Sequence, residues 1–343
     1  YVPHFCRVAY RAFCLWRAMQ YGSLERFLEL EYGIHPKIQY VEHHESHASA
    51  AFRTGAAQKA LILIADGVGD ELSITISRGE SSTIRRLAQA FYPNSFGQFY
   101  TACTQILGFK GGRHEGKITG LAGYGKLVPE LIEKVERTFC TKDGGFTLNK
   151  RYYAEGFIRP NFKEMLAGKV KLLTVEYRNY KGPLKRLLQG YRREDVAYAF
   201  QFLMERELVR MAKKYLASER LPLVVAGGVM ANVKLNMALA EQLDVDSLYV
   251  FPNMGDGGLC IGAALSLLAA EPKPIPDMYL GTEFTEEDCL LALKRYPQLH
   301  VTRPDCLAEV VARVLADRKI VARCDGRMEF GPRALGNRSI LYQ

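Results

Sequence analysis

The run Ala60-Leu61-Ile62-Leu63-Ile64-Ala65, closed by Asp66-Gly67-Val68-Gly69-Asp70, decides the fold class. Six consecutive apolar residues predict a strand buried on both faces. The acids and glycines after it predict a turn, and residues 72–77 (LSITIS) alternate apolar and polar as the returning strand of a hairpin. Residues 221–226 (LPLVVA) predict a second buried strand, ending in Gly227-Gly228 before a helix over 232–243. Residues 247–251 predict a third, followed by Asn253-Met254-Gly255-Asp256-Gly257-Gly258 and an apolar helix over 259–269. Strands that end in glycine turns and lead into helices make an α/β fold, with ligand sites at the strands' carboxyl ends.

Working outward, residues 37–41 (KIQYV) alternate and predict a strand running into an Ala-rich helix over 42–52. Residues 194–216 predict a long amphipathic helix, with Val196, Phe200, Met204, Leu208, Met211 and Tyr215 as its buried stripe. The Pro-rich stretch 271–276 (EPKPIP) reads as a linker. Helices over 283–295 and 307–318 and a strand over 320–324 follow. The expected organisation is one large α/β domain over 1–270, the linker, and the start of a second domain over 277–343. Because the chain opens on Tyr1 and stops directly after a dense motif, it is expected to be a piece of a longer protein. The first domain's opening strands and most of the second domain would then lie outside it.

The chain has 343 residues, 48% hydrophobic and 24% charged, which excludes a disordered tail, a collagen and a coiled coil. No apolar run approaches the ~20 residues of a membrane span, and nothing resembles a signal peptide. Eight scattered cysteines without a CxxC read as reduced thiols of a cytoplasmic protein. The net charge is +9, and its position matters more than its size. Residues 151–220 hold 16 basic and 8 acidic side chains; the rest of the chain holds 30 and 29. That segment suits an anionic partner, either as a basic wall beside a nucleotide and phosphate site or, with Tyr152, Tyr153, Tyr177, Tyr180 and Tyr191 among its cations, as a single-strand nucleic-acid binder.

The chemistry concentrates in few places. Three of seven histidines fall within Glu42-His43-His44-Glu45-Ser46-His47. On a helix, His43 and His47 stand one turn apart on one face, so two imidazoles can grip one metal. The pattern is not HExxH, which argues against a zincin-type protease. Asp66 and Asp256 each follow a predicted strand, as ligand-site carboxylates do, although glycine-flanked turns use aspartate for purely structural reasons too. Two imidazoles and two carboxylates would make a nitrogen–oxygen set suited to iron, manganese or zinc. Residues 111–125 are glycine-dense, with Glu115 and Lys117 between glycines and Gly120 following, where the backbone could approach a ligand. Residues 325–339 pack Arg327, Arg333 and Arg338 with two carboxylates and three glycines, a composition suited to holding phosphate or carboxylate.

Taken in order, these pieces resemble the O-carbamoyltransferases of the NodU/CmcH type. The resemblance rests on EHHESHASAAF (42–52), DGVGD (66–70), YPNSFGQFYTACTQILGF (92–109), HEGKITGLAGYG (114–125), AGGVMANVKLN (226–236), GDGGLCIGAAL (255–265) and DGRMEFGPRALGNRSIL (325–341), with only 140–195 unremarkable. It implies an actin-like ATPase-superfamily domain followed by the beginning of a YrdC-like α/β domain. It implies two half-reactions: ATP activates carbamoyl phosphate to carbamoyl-adenylate, releasing pyrophosphate, and the carbamoyl group then passes to an acceptor hydroxyl beside a divalent metal. Carried over position by position, His43, His47, Asp66 and Asp256 would hold the metal, iron(II) first, with manganese or zinc as alternatives. Glu115, Lys117, Gly120, Gly227, Gly228 and Asn232 would line the adenylate. Arg333, Arg338 and Ser339 would belong to the activation site. His44, next to the ligands but off their spacing, is the candidate base on the acceptor.

The partners so implied are carbamoyl phosphate, ATP as co-substrate, and a hydroxylated small molecule such as a natural product or sugar; a homodimer is left open. No membrane partner is expected, and nucleic acid is not the favoured one. Threonylcarbamoyl transfer to tRNA would use the same metal geometry, but the GPRALGNRSIL tail argues against it. A plain sugar kinase of the same superfamily gives the histidine cluster no task.

Overall fold

The computed structural model describes residues 24–142, 145–153, 156–160, 173–177, 182–217 and 219–343. Tyr180, Cys6 and Cys14 lie outside the described residues. Two helices come first, α1 (Leu24–Tyr32) and α2 (His43–Arg53). The ALILIA run follows as the middle of β1 (Lys59–Gly69), which pairs antiparallel with β2 (Leu72–Glu80), and β2 with β3 (Thr83–Phe91). Then come α3 (Phe96–Ile106), α4 (Glu115–Ala122) and α5 (Pro129–Glu136). Two small antiparallel pairs follow, β4 (Phe139–Lys142) with β5 (Gly145–Leu148) and β6 (Gly156–Pro160) with β7 (Leu173–Tyr177). The short α6 (Pro183–Leu187) precedes α7 (Arg193–Leu216). Next are β8 (Leu223–Ala226), α8 (Val233–Gln242), β9 (Leu248–Val250) and α9 (Leu259–Leu267).

The central sheet is mixed and five-stranded, in the order β3-β2-β1-β8-β9, with β1, β8 and β9 parallel. Leu61, Leu63 and Ala65 join the large core that holds Phe96, Phe99 and Phe200. Side chains alternate along a strand, so Ile62 and Ile64 turn to the other face, where α2 packs on the sheet. Both sets are buried, which is why the run has no polar residue. The predicted stripe of α7 is buried from Val196 to Met211, and Tyr215 packs at its edge.

The chain divides into two compact units, Tyr1–Lys273 and Pro274–Gln343. The second contains α10 (Glu286–Leu293), α11 (Leu307–Ala316) and the antiparallel pair β10 (Val321–Cys324) and β11 (Arg338–Leu341). Thr285 and Asp288 form a capping box at α10. Among the described residues no helix is long and apolar enough to cross a membrane, and the described cysteines are free thiols.

Two expectations change. Residues 37–41 pair with no strand among the described residues; Tyr40 is 77% exposed, so the alternation has no buried face to serve. The turn expected at 66–70 lies later. β1 runs on through a register shift between Ala65 and Gly69, and the chain reverses at Asp70 and Glu71, which both adopt positive φ. Such a shift turns side chains off the regular alternation, and here it falls on the stretch that carries Asp66.

Candidate metal centre

The site begins with how α2 starts. Glu42 is its N-cap, accepting hydrogen bonds from the backbone N–H groups of His44 and Glu45, while Arg86 of β3 pairs with its carboxylate. Asp70, on the turn after β1, accepts the His43 N–H at 2.9 Å. Two carboxylates thus satisfy amides that a helix start leaves open, and they fix the rotation of the first turn. His43 and His47 then project from one face with ring centroids 4.8 Å apart.

Parallel pairing sets the carboxyl ends of β1 and β8 side by side, with Ile64 opposite Ala226. Asp66 lies just past that pairing, in the irregular part of β1. Its Oδ2 stands 3.2 Å from Nε2 of both His43 and His47, and its Oδ1 accepts the Gly67 N–H at 2.6 Å. Asp256 enters from the turn after β9, with Oδ1 3.6 and 3.7 Å from the same two nitrogens. The four donor atoms lie within 4.8 Å of one another. Two imidazoles and two carboxylates converging on one point fit a divalent transition metal.

Electrostatics support the grouping. Burial pushes the Asp66 carboxyl up, but hydrogen bonds from His43, His47 and the Gly67 amide outweigh it and hold the group well below the usual carboxylate range. The Asp66 contact raises the His43 imidazole against the effect of burial. His44 is driven the other way, down to about 4, by burial. Its Nδ1 contacts the Thr75 hydroxyl at 3.1 Å, and its Nε2 is enclosed without a partner. With no exposed surface, the ring expected to act as base meets no acceptor in this conformation; it packs α2 against β2.

The other predicted residues divide into two groups. Glu115 opens α4 and accepts from Thr101 and the Gly112 amide. Gly116 and Gly120 face open space, and Lys117 is exposed beside them with its ammonium over the Phe109 ring. Gly228 lies against Asp66, where a Cβ would stand 3.1 Å from Oδ1; Gly227, at φ +97°, would drive a Cβ to 2.2 Å from the Ala65 carbonyl. Asn232 caps α8 and exchanges hydrogen bonds with Gln201, which also accepts from Tyr100, so its carboxamide is fully committed inside the fold.

Arg333, Arg338 and Ser339 belong to the second unit. The Arg338 guanidinium donates to the carbonyls of Asp325, Asn337, Thr282 and Gly326, a structural commitment that occupies its fork. Ser339 accepts the Gly336 N–H from within β11. Sequence reading missed Glu329, whose Oε1 gathers the amides of Leu335, Asn337 and Arg338. Those bonds, that of Arg338 foremost, bring its pKa down to about 2. A depressed carboxyl contributes order that is complete above the ordinary glutamate range and is lost as pH falls through about 2. NMR of the Glu329 carboxyl carbon should therefore show no inflection between about pH 6 and 3; a midpoint near 4.3 would mean the loop does not hold it. Ser95 was also missed, though Asn-Ser before an aromatic run is a cap signal. Its hydroxyl caps α3 and donates to the Asp66 carbonyl at 2.7 Å.

The family model for the carbamoyltransferase N-terminus matches residues 9–265, and that for the carbamoyltransferase C-terminus matches residues 312–343. The chain belongs to the carbamoyltransferase family. Nodulation protein NolO of Bradyrhizobium diazoefficiens is 30% identical over 311 residues, 88% of this chain and 53% of its own. An uncharacterized protein of Synechocystis sp. is 32% identical over 89% of this chain and 51% of its own. The chain thus spans about half the length of these relatives. Full-length HypF, solved in a phosphate- and nucleotide-bound form, aligns over 73% of this chain and 38% of its own at 16% identity and a TM-score of 0.38, a likeness too loose to bear on function.

Proposed function

We propose that this chain supplies the transfer site of an ATP-dependent O-carbamoyltransferase acting on a hydroxyl of a small-molecule acceptor. The observation that carries this reading is the convergence of His43, His47, Asp66 and Asp256 at the carboxyl ends of parallel strands, in a member of this family. A divalent metal held by these four residues would polarise the carbamoyl carbonyl and steady the oxyanion formed on attack. Iron(II) is the first choice, with manganese or zinc next. The sheet order is compatible with an actin-like domain, and the second unit with the start of a YrdC-like one.

In the activation step, water cleaves carbamoyl phosphate to carbamate and phosphate, and a carbamate oxygen then bonds to the α-phosphorus of ATP, giving carbamoyl-adenylate as pyrophosphate leaves. In the transfer step the acceptor oxygen bonds to the carbamoyl carbon, the bond to AMP breaks with the electron pair leaving on AMP, and the hydroxyl proton passes to solvent. The bare face at Gly116 and Gly120 lets backbone approach the adenylate, and Lys117 sets a cation beside it. The lack of a side chain at Gly228, where a Cβ would stand 3.1 Å from Asp66 Oδ1, keeps space at the strand ends for the carbamoyl group. The full-length enzyme should release pyrophosphate from ATP only when carbamoyl phosphate is present. Release that does not depend on carbamoyl phosphate would overturn the assignment.

A further inference from the structure

Residues 140–195 carry none of the motifs that mark the family, yet the end of that stretch builds a cationic cleft. α6 and the start of α7 face the carboxyl end of α3 across a space of about 510 Å³, within the size range of small-ligand sites. Lys185, Arg186 and Arg193 line it, and among the described residues no aspartate or glutamate does. Leu107, Leu188 and Val196, all buried, form its apolar part. Among the described residues neither Lys185 nor Arg186 has an acidic partner. Arg193 is anchored: it donates to the Leu107 carbonyl at 2.6 Å and lies over the Phe109 ring, on which Lys117 also rests. Isolated surface cations are ordinary. Three around an apolar floor, with no acid among them, select an anion that carries an organic body.

α3 ties this cleft to the metal centre. Its N-cap, Ser95, bonds the Asp66 carbonyl; Thr101, midway, bonds Glu115; Leu107, at its end, floors the cleft. Its 11 residues span about 16 Å at the rise of an α-helix. We propose that the cleft seats a phosphate or sulfate ester carried by the acceptor, about one length of α3 from the hydroxyl to be carbamoylated. The inference rests on the transferase reading. Single-stranded RNA is the less favoured occupant, because two of the tyrosines nominated for stacking bases are engaged within the fold: Tyr153 is buried against Thr138, and Tyr191 accepts from Lys134 at 2.9 Å beneath its ammonium.

Calorimetry on the 343-residue chain, with phenyl phosphate and phenyl sulfate as probes and benzyl alcohol as the uncharged control, tests the site. Wild type should bind at least one ester, and Lys185→Glu with Arg186→Glu should weaken that binding at least tenfold, with the control silent. Which ester binds identifies the chemistry of the group. Equal binding by both chains overturns the site, as does displacement of the ester by AMP, which would make the cleft part of the nucleotide site. Salt-sensitive binding of oligouridylate without ester binding would make it an RNA surface. In the full-length enzyme, labelled carbamoyl should pass to a phosphorylated or sulfated oligosaccharide in preference to the unesterified form; transfer to the bare form alone overturns the acceptor assignment. Ester binding without any carbamoyl-dependent pyrophosphate release marks failure of the transferase reading itself, and leaves no acceptor for the cleft to serve.

Discussion

Replacing His47 by alanine is expected to abolish metal binding at the proposed centre while leaving the fold in place. His47 is wholly buried, and its Nε2 faces both Asp66 and Asp256. Removing it leaves His43, Asp66 and Asp256, with Asp256 on an exposed turn. Loss of an outer-shell partner alone costs ~10–100-fold in metal affinity, and loss of a direct ligand should cost at least as much. Alanine is the best helix former, so α2 keeps its backbone; the vacated ring leaves a cavity of the kind that lowers stability by a few kcal/mol. Elemental analysis after anaerobic purification should find about one metal per wild-type chain and close to none in the variant, with far-ultraviolet circular dichroism unchanged. Equal metal in both chains would remove His47 from the site. Stoichiometric metal in neither would remove the site.

The sequence shows this centre early because its signals are local. An HxxxH pair needs only the helical period, and a carboxylate at the end of an apolar run needs only the strand that precedes it. β3 illustrates the reverse. Its TIRRLAQAF sequence places two arginines on an edge strand exposed along much of its length, so no burial pattern announces it. Residues 37–41 have a strand's alternation without a strand's partner, and pairing is not a local property. Asn232 and Arg338 show a further limit: a residue type suited to phosphate is equally suited to a cap or to four carbonyls. Only tertiary structure reveals that Gln201, or the Asp325–Gly326 turn, has already taken their hydrogen bonds. Direction likewise separates His44 from the other two histidines: its Nδ1 meets Thr75, while Nε2 of His43 and of His47 meets Asp66.

Gly262→Ala is expected to be the most damaging small substitution near the site, against its intrinsic propensity. In an exposed helix the change would stabilise by up to about 1 kcal/mol. Here α9 packs directly on α2, and a Cβ on Gly262 would stand 1.8 Å from the Ser46 carbonyl oxygen and 2.6 Å from its carbon. Both obstacles are backbone, so no rotamer change relieves the overlap and the two helices must separate. Ser46 precedes His47 on α2, and Asp256 lies in the turn that leads into α9. The separation therefore opens the distance between the histidine pair and the second carboxylate, Asp256. Overpacking of this kind costs about 1–3 kcal/mol, which lowers Tm by on the order of 5 °C in a domain of this size. Metal retention should fall with it. Gly116→Ala, on a helix face with open space in front, provides the contrast: its Tm should hold or rise. A Gly262→Ala chain with wild-type Tm and metal content would show that α2 and α9 are not in contact as described, and with them the placement of Asp256 beside the histidines.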